Sequence, residues 1–499
     1  KDIEMGDNMY TISLNNNKLD FKTLEQKIYR NVCEIACDVL KDVLGKLDKM
    51  LMATRDIDKY RHKGIKDTHI NTVMGTVEYG RRIYECHSED GKKQYVYLLD
   101  QYLNNETVGH VSTNLAEKIV ERTLEESYRK TAQAMESTTN ASLSHTTAWN
   151  VIQKIGGKFK EKEEQLVNKY KQGRLKGERE IDVLFQEADG VWLSMQGKDR
   201  PKKGKKKEMK IAINYEGFKK REGQKKGYQV HNKTACAGFH KSHDFKNLWE
   251  AKTAEQYNVD EIKARIINGD GDPWIKPDSG EDNVHFQLDP FHVSREVLRN
   301  VPDKKQAKKL NKLLKSGKLE EAFEYLTDLL IEYTNDEDEF KKLEKLYSYL
   351  ANNREGLMPY MLRDLELPEL PDGLIYRGMG TMEGNVCTVI TLRMKNRKMS
   401  WSEEGANNLA RLLTARVSGS LYQQLDKIFD DAVSDDMLED MTVAIQLSAA
   451  QANKKPKKSN IYPIHNAPIP YEGQPLTEGR KAIRNLVENR VAGDLNFLY

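Results

Sequence analysis

The sequence predicts a mixed α/β protein in which a strand-rich middle lies between two helical regions. The chain has 499 residues, and this length favours about three domains. Apolar residues make up 38% and charged residues 31% of the chain, which is enough apolar material to fill several cores in a soluble protein. Runs of Val, Ile, Phe and Trp concentrate between residues 181 and 290, whereas the flanking regions repeat apolar residues at helical spacing.

The composition also indicates the cellular compartment of the protein. No apolar run reaches the roughly 18 residues of a membrane span, so no membrane partner is expected. The polar first residues do not resemble a signal peptide. The cysteines are odd in number and show no paired short spacing; they are Cys33, Cys37, Cys86, Cys236 and Cys387. This usage is typical of a reducing compartment, and we expect a cytoplasmic protein.

The first 110 residues predict two small regions. Residues 1–53 form a helical region, because apolar residues from Phe21 to Leu51 recur at helical spacing. Residues 54–110 form a small α/β module. In it the segments "HINTVMGTVEYGRRIYEC" and "KKQYVYLLD" are strands joined by a hairpin at Asp90-Gly91.

Residues 111–157 predict a helix-turn-helix DNA-binding region. One helix covers "NLAEKIVERTLEESYRKTAQAMES", and a second begins after Ser144 and ends at Gly156-Gly157. The residues expected to face a DNA major groove are His145, Thr146, Thr147 and Asn150. A helical hairpin with a packing role gives a similar pattern, so this alternative stays open.

After a helical connector at 158–180, the order of elements predicts the central domain. Three consecutive strands, a helix and a further strand over residues 181–300 follow the order of a ribonuclease-H-like domain, although other α/β folds share this periodicity. Residues 301–360 predict an all-helical insertion, and residues 361–453 return to the domain as helix with a basic face. Residues 454–499 form a Pro- and Lys-rich extension.

Basic residues are concentrated rather than abundant. The net charge is only +3, but lysines dominate the segment between Arg200 and Lys226. A segment of this kind, with Lys205 and Lys206 at its centre, binds the phosphates of a polyanion through counterion release. A solvated hairpin loop that contacts nothing is the alternative. A second basic run, with Arg393 and Arg397, predicts further DNA contacts or a solvated helix face.

Three acidic residues stand out by context. Asp189 ends an apolar strand in "EADGVW", Asp270 ends another in "INGDGDPWI", and Glu383 opens a basic helix in "GTMEGNV". A carboxylate in an apolar strand needs a partner, because an unpaired buried charge is costly. Mg²⁺ prefers oxygen ligands, and two such ions hold the attacking and leaving oxygens of phosphoryl transfer. The alternative is that each acid caps a turn or pairs with an arginine, since Asp-Gly is a common turn dipeptide.

A resemblance to a known family bears on this choice. Its segments are "RDIDKYRHKG", "GTVEYGRRIY", "SHTTAWNVIQKIG", "EADGVWLSMQ", "INGDGDPWI", "LDPFHVSR" and "YRGMGTMEGNV...RMKNRKMSWSEEGANNLA". From about residue 20 to about residue 450 the chain resembles the ISLre-type insertion-sequence transposases, which are similar to the Mutator-type group of DDE transposases.

The resemblance implies site residues. It implies a ribonuclease-H-like catalytic domain with a helical insertion, in which Asp189, Asp270 and Glu383 are the catalytic and metal-binding triad. Asp289 and His292 occupy the place of a supporting pair that does not bind metal. Asp272 competes with Asp270 as the second acid. Lesser competitors for the third position are Glu403 and Glu404.

The resemblance also implies an activity. The chain would be a nucleoid-associated bacterial DNA transposase with two Mg²⁺ or Mn²⁺ ions, acting on transposon ends and target DNA as a homo-oligomer. Water would hydrolyse a phosphodiester at each end, and the exposed 3′-hydroxyl would attack target DNA. The alternatives are a nuclease that cuts without joining and a DNA-binding regulator whose catalytic domain is inactive.

A zinc site is disfavoured because the spacing of its candidate ligands is irregular; they are His231, Cys236, His240 and His243.

Overall fold

A computed structural model describes residues 20–429 apart from residues 89, 104–107, 225–226 and 278–282, together with residues 442, 445–446 and 448–449. The chain divides into two compact units, Lys1–Val43 with Glu439–Tyr499 and Leu44–Leu438. Helix α1 (Phe21–Thr54) crosses the boundary, and the remaining elements belong to the second unit. The predicted C-terminal extension lies outside the described residues. The predicted α/β class is confirmed, and the predicted domain boundaries stay predictions.

The N-terminal module is a three-stranded antiparallel sheet. Its strands are β1 (Arg61–Thr72), β2 (Gly75–His87) and β3 (Lys93–Val96), and helix α2 (Leu98–Tyr102) follows. The hairpin expected at Asp90-Gly91 joins β2 to β3, with Gly91 at a φ of 73°. The segment expected to be one strand contains a second hairpin, because the chain turns at Val73 and Met74 and β1 pairs with β2.

Three helices follow, each capped by a serine. They are α3 (Thr113–Glu125), α4 (Tyr128–Thr138) and α5 (His145–Lys171). The capping hydroxyls are those of Ser112, Ser127 and Ser144, and each accepts a hydrogen bond from the backbone N–H of the residue three positions later. The predicted start of α5 is confirmed. The prediction of one helix across residues 114–137 is wrong, because Ser127 caps a new one.

The central sheet has five strands. In chain order these are β4 (Val183–Ser194), β5 (Lys206–Tyr215), β8 (Thr234–Gly238), β9 (Ala264–Gly269) and β10 (Val284–Leu288). Their order across the sheet is β10-β9-β4-β5-β8. Strands β10, β9 and β4 are parallel, whereas β5 is antiparallel to both β4 and β8. Two short strands between β5 and β8, β6 (Phe218–Lys220) and β7 (Tyr228–Val230), form a third sheet with β11 (Leu374–Ile375).

Helices cover both faces of the central sheet. On one face Ala188, Ala212 and Ile267 pack against residues of helix α6 (Ser242–Gln256). On the other face Phe185, Val191 and Ile211 join a larger core with α3 and α5. Successive side chains of a strand point to opposite faces, so Glu187 and Asp189 point to this second face.

The helical insertion has its own core. Helices α7 (Pro290–Asn300), α8 (Lys304–Lys315), α9 (Leu319–Glu332), α10 (Glu337–Asn352) and α11 (Arg354–Leu357) follow β10. Leucines at helical spacing fill the space between them, and these include Leu310, Leu326, Leu343, Leu346 and Leu350. The helical character predicted for the insertion at residues 301–360 is confirmed by the helices between Lys304 and Leu357.

The chain then returns to the central sheet through helices. Helix α12 (Met382–Asn385) leads into a π-helix (Val386–Lys395), and α13 (Glu403–Val417) and α14 (Leu421–Phe429) follow. Both α12 and the π-helix pack against β4, and α13 packs against α5 and β8. Within the described part of the chain, no helix combines the length and apolarity that crossing a membrane requires.

The crossing of α5 and α13 corrects one prediction. Helix α5 does not end at Gly156-Gly157 but continues to Lys171. At Gly156 the backbone of α13 comes so close that an added Cβ would lie 2.8 Å from Asn408 Cα. The glycine therefore permits a helix crossing, and the residues expected to form a separate connector begin as part of the same helix.

Candidate metal centre

Acidic residues gather where the parallel strands of the central sheet end. Asp270 directly follows β9 and Asp289 directly follows β10. Asp189 lies inside β4, two residues beyond Glu187, the last β4 residue paired with β9. The expectation that Asp189 ends its strand is wrong, because β4 continues to Ser194 along β5. Asp189 is nevertheless next to the end of β9, and the carboxyl ends of parallel strands commonly carry functional groups.

Two of the predicted acids and one histidine converge on a single point. Asp189, Asp270 and His292 each offer one ligand atom, and these atoms all lie within 4.8 Å of one another. Among the described residues this is the one group of three or more His, Cys, Asp or Glu side chains close enough to share an ion. Asp189 and His292 are buried and Asp270 is half-buried.

The loop after β9 orients Asp270 toward this point. Gly271 has a φ of 97°, a conformation that favours glycine. The Asp270 carboxylate accepts a 3.0 Å bond from the backbone N–H of Asp272, and the hydroxyl of Tyr349 donates to the Asp270 carbonyl at 3.2 Å. The carboxylate of Asp272 instead accepts a 3.3 Å bond from the indole N–H of Trp274. Geometry therefore favours Asp270 over Asp272 as the second acid.

The start of α7 brings His292 to the acids. Asp289 is the N-cap of α7, accepts a 2.8 Å bond from the backbone N–H of Phe291, and donates its own N–H to the Gly269 carbonyl at 2.7 Å. His292 Nε2 lies 3.6 Å from Asp189 Oδ2. Asp289 thus makes structural contacts, whereas His292, implied to be only supporting, offers a ring nitrogen to the same point as the acids.

The site brings several carboxylates together in a largely buried environment. Burial raises the pKa of Asp270 above its ordinary value, and the charges of Asp272 and Asp189 raise it further. Burial likewise raises the pKa of Asp289. Burial alone lowers the pKa of His292, but the nearby carboxylates of Asp189 and Asp289 outweigh this, so the net shift is upward. A bound cation would relieve the repulsion between the acids.

The donor set fits a divalent cation. Carboxylate oxygens are the ligands that Mg²⁺ and Mn²⁺ prefer, and an imidazole nitrogen is compatible with Mn²⁺. With only one nitrogen and no thiolate, the group lacks the composition of a structural zinc site. Of the zinc candidates, Cys236 is buried in β8 and is not part of a described metal-binding group.

Glu383 lies outside the group formed by Asp189, Asp270 and His292. It is exposed in the first turn of α12, and α12 packs against β4. The N-cap of α12, Thr381, donates its hydroxyl to the Glu187 carboxylate at 2.6 Å. The fold therefore fastens the helix that carries Glu383 to the strand that carries Asp189. The role of Glu383 stays a prediction.

The competitors for Glu383 have other contacts. Glu403 and Glu404 open α13, as expected of a helix start, with Ser402 as the N-cap. The Glu403 carboxylate accepts a 2.6 Å bond from Lys207 Nζ in β5. This ion pair fastens α13 to the basic end of β5, and neither glutamate belongs to the group formed by Asp189, Asp270 and His292.

Most of the predicted DNA contacts lie at the surface. His145, Thr146 and Asn150 are exposed at the start of α5, and Thr147 is half-buried. Lys205 and Lys206 are exposed where β5 begins. Their contacts with DNA stay predictions.

Arg393 requires a correction. Its side chain is buried, its Nε donates to the Thr123 carbonyl at 2.6 Å, and its guanidinium lies over the rings of Tyr128 and Trp401. It packs the π-helix against α3 and α4 and does not form a DNA surface, because the predicted basic helix face turns inward here. The side chain of Arg397 lies outside the described part of the chain.

Two features of the site were not predicted. Glu187, two residues before Asp189, is fully buried, and the only signal in the sequence was a charged residue inside an apolar strand. Gly190 lies inside β4 rather than in a turn, and an added Cβ there would lie 2.7 Å from the carboxyl carbon of Glu208. The Asp-Gly dipeptide therefore makes room for a neighbouring side chain and does not reverse the chain.

Comparison with known proteins gives a family for this chain. Residues 14–427 match the uncharacterised protein family UPF0236. One relative is a UPF0236 protein of Caldanaerobacter subterraneus subsp. tengcongensis, 24% identical over 415 residues, which cover 82% of this chain and 80% of the relative. Another is the UPF0236 protein in the vanSb 3′ region of Streptococcus gallolyticus, 25% identical over 403 residues, which cover 79% and 83% of the two chains. Because the match spans most of its length, this chain belongs to the UPF0236 family.

Proposed function

We propose that this chain is a DNA transposase that uses divalent metal ions to cut element ends and join them to target DNA. The observation that carries the proposal is the convergence of Asp189, Asp270 and His292 beside the ends of the parallel strands. Two acids, one within β4 and one directly after β9, lie close together with a histidine and with no lysine or arginine in the group. This arrangement of oxygen ligands suits metal-dependent phosphoryl transfer.

The sheet supports a ribonuclease-H-like interpretation of the catalytic domain. Numbered along the chain, its five strands lie in the order 5-4-1-2-3. The first three strands form an antiparallel meander, and the last two run parallel to the first. A helical insertion follows the fifth strand, after which α12 packs against β4. This order supports the predicted catalytic domain with an insertion before its third acid.

The residues available for the metal site have distinct roles in the proposal. Asp189 and Asp270 would hold the ions, and Glu383 would complete the set from α12. When bound, two such ions stabilise the charge that develops on the reacting phosphate and activate its nucleophile. His292 Nε2 lies 3.6 Å from Asp189 Oδ2 and would add a ring nitrogen to the same point. Asp189 and His292 are buried, so the half-buried Asp270 is the most accessible member of the group to an approaching DNA strand.

The relatives support a mobile element. The name of one relative joins eleven loci of a single genome, and the name of another joins four loci of the same genome. Repetition of one coding sequence within a genome is the result expected of an element that copies or moves itself. We therefore extend the proposal from phosphoryl transfer to transposition, with a homo-oligomer that holds two element ends together.

Substitution of the exposed lysines tests the DNA surface. We expect the double substitution Lys205→Ala and Lys206→Ala to weaken binding to DNA of any sequence. The slope of the logarithm of the DNA association constant against the logarithm of salt concentration should become shallower by about two, since each phosphate contact contributes about 0.9 to this slope. Lys341→Ala with Lys342→Ala is the matched control, because these lysines already pair with Glu337 and Glu339. Fluorescence anisotropy at several salt concentrations measures both. An equal loss of DNA affinity in the two double variants would contradict a DNA contact at Lys205 and Lys206.

An assay with labelled element ends separates the proposal from its alternatives. We expect cleavage and joined products in Mn²⁺ or Mg²⁺, and neither after EDTA removes the metal. Cleavage without joined products would favour a nuclease. Binding without cleavage in either metal would favour an inactive regulator. The element ends for this assay come from inverted repeats in the DNA that flanks the gene.

A further inference from the structure

A row of buried polar side chains lies directly beneath the candidate metal centre. It consists of Gln287 in β10, Asn268 in β9 and Glu187 in β4, all of which are at most 2% exposed. Gln287 and Glu187 are both cross-strand partners of Asn268, so the three side chains are neighbours across the parallel strands. They precede the acids Asp289, Asp270 and Asp189, respectively, by two residues each.

The row is hydrogen-bonded from end to end. Gln287 Nε2 donates to Asn268 Oδ1 at 3.1 Å, and Asn268 Nδ2 donates to Glu187 Oε2 at 3.0 Å. The hydroxyl of Tyr215 in β5 donates to Glu187 Oε1 at 2.8 Å. Four neighbouring strands are thus connected at one level, which fixes the relative positions of the acids two residues further along.

The carboxylate of Glu187 also connects this row to α12. It accepts bonds from the backbone N–H of Gly380 at 3.1 Å, from the backbone N–H of Thr381 at 3.0 Å and from the Thr381 hydroxyl at 2.6 Å. Its partners in strands and loop are all donors, which suits a carboxylate because it offers several acceptor sites. Glu383 follows Thr381 by two residues.

We propose that Glu187 is a positioning residue that holds the N-cap of α12 so that Glu383 faces the ions held by Asp189 and Asp270. This inference rests on the proposed function for the role of Glu383, whereas the contact itself stands on the geometry. If the network served only the stability of the core, the Glu187 carboxylate would not need to accept hydrogen bonds from the residues that begin α12. A positioning role predicts that the effect of Glu187 on metal binding passes through Glu383.

The first test needs no metal. In the full chain, Glu187→Gln keeps the size of the side chain but places an amide donor among the donors of Gly380 and Thr381. We expect hydrogen exchange in residues 380–385 to become at least about tenfold faster. The matched control is Gln186→Glu, an isosteric exchange at an equally buried residue of the same strand whose partners are Asn214, Thr253 and Arg265. Unchanged exchange in Glu187→Gln, or the same increase in the control, would overturn the positioning role.

The second test is a double-mutant cycle on Mn²⁺ affinity, measured by calorimetry with the full chain. We expect Glu187→Gln and Glu383→Gln each to weaken binding about tenfold, and the double variant to match Glu383→Gln alone. Losses that multiply, or no loss in Glu187→Gln while Asp189→Asn still abolishes binding, would overturn the positioning role but leave the metal centre intact. Wild-type Mn²⁺ binding that is insensitive to Asp189→Asn would instead contradict the proposed function, and the exchange experiment would still decide whether Glu187 holds α12.

Discussion

Asp189→Asn is expected to reduce strand cleavage by about a thousandfold or more, which corresponds to roughly 4 kcal/mol of lost transition-state stabilisation. The substitution preserves size but replaces a charged oxygen ligand with a neutral amide. Asp189 lies in the middle of β4 and adjoins both Asp270 and His292, so no other described acid of the group can replace it without a change in the sheet. Cleavage of a labelled element end in Mn²⁺ measures the loss.

The fold should survive this change. Asp189→Asn removes one of two close negative charges, so the thermal unfolding midpoint is expected to stay within a few degrees of the wild type. Asp272→Asn is the control, because Asp272 lies in the same loop but its carboxylate accepts from Trp274, a bond that an amide oxygen can keep. Equal activity of the wild type and Asp189→Asn, or equal losses in the two variants, would contradict the proposed site.

Gly156→Ala is expected to destabilise the second unit by about 2 to 3 kcal/mol, because α5 and α13 would have to separate to accommodate one methyl group. The obstacles are Asn408 Cβ and Cα, and neither atom can move aside by rotation of a side chain because the backbone fixes both positions. Gly157→Ala, one residue further along the same helix, is expected to act in the opposite direction. No atom lies within 4 Å of its added Cβ, and alanine favours a helix over glycine by about 1 kcal/mol.

Thermal unfolding of the two variants measures this difference. We expect the unfolding midpoint to fall by about 5 °C in Gly156→Ala and to rise slightly in Gly157→Ala. Since the two substitutions are chemically identical and adjacent, their comparison removes any general effect of replacing glycine. A similar midpoint in both variants would mean that α5 and α13 do not cross closely at Gly156.

Local pattern was sufficient to predict much of the central domain. The strands of the central sheet carry runs of β-branched and aromatic residues, so β4, β5, β9 and β10 appeared where expected. Asp270 and Asp289 follow their strands directly, so their location at the ends of these strands could be predicted from the sequence. The start of α5 was predictable because Ser144 provides a local cap.

Features that depend on distant residues could not be predicted in this way. Gly156-Gly157 resembles a helix end, and only the approach of Asn408 explains a glycine inside α5. Arg393 resembles a surface cation, but residues of α3, α4 and the segment before α13 enclose it. The role of Glu187 depends on Gly380 and Thr381, more than 190 residues away. His292 joins the acids only because the N-cap of α7 adjoins the end of β9.

Anomalous diffraction from crystals grown with Mn²⁺ tests the central claim most directly. The proposal predicts a manganese peak within coordination distance of carboxylate oxygens from Asp189 and Asp270, and Glu383 turned from α12 toward the same peak. Asp189→Asn crystals grown in the same way should lack it. A wild-type chain that binds manganese elsewhere, or whose Asp189 and Asp270 remain without metal at saturating Mn²⁺, would contradict the account.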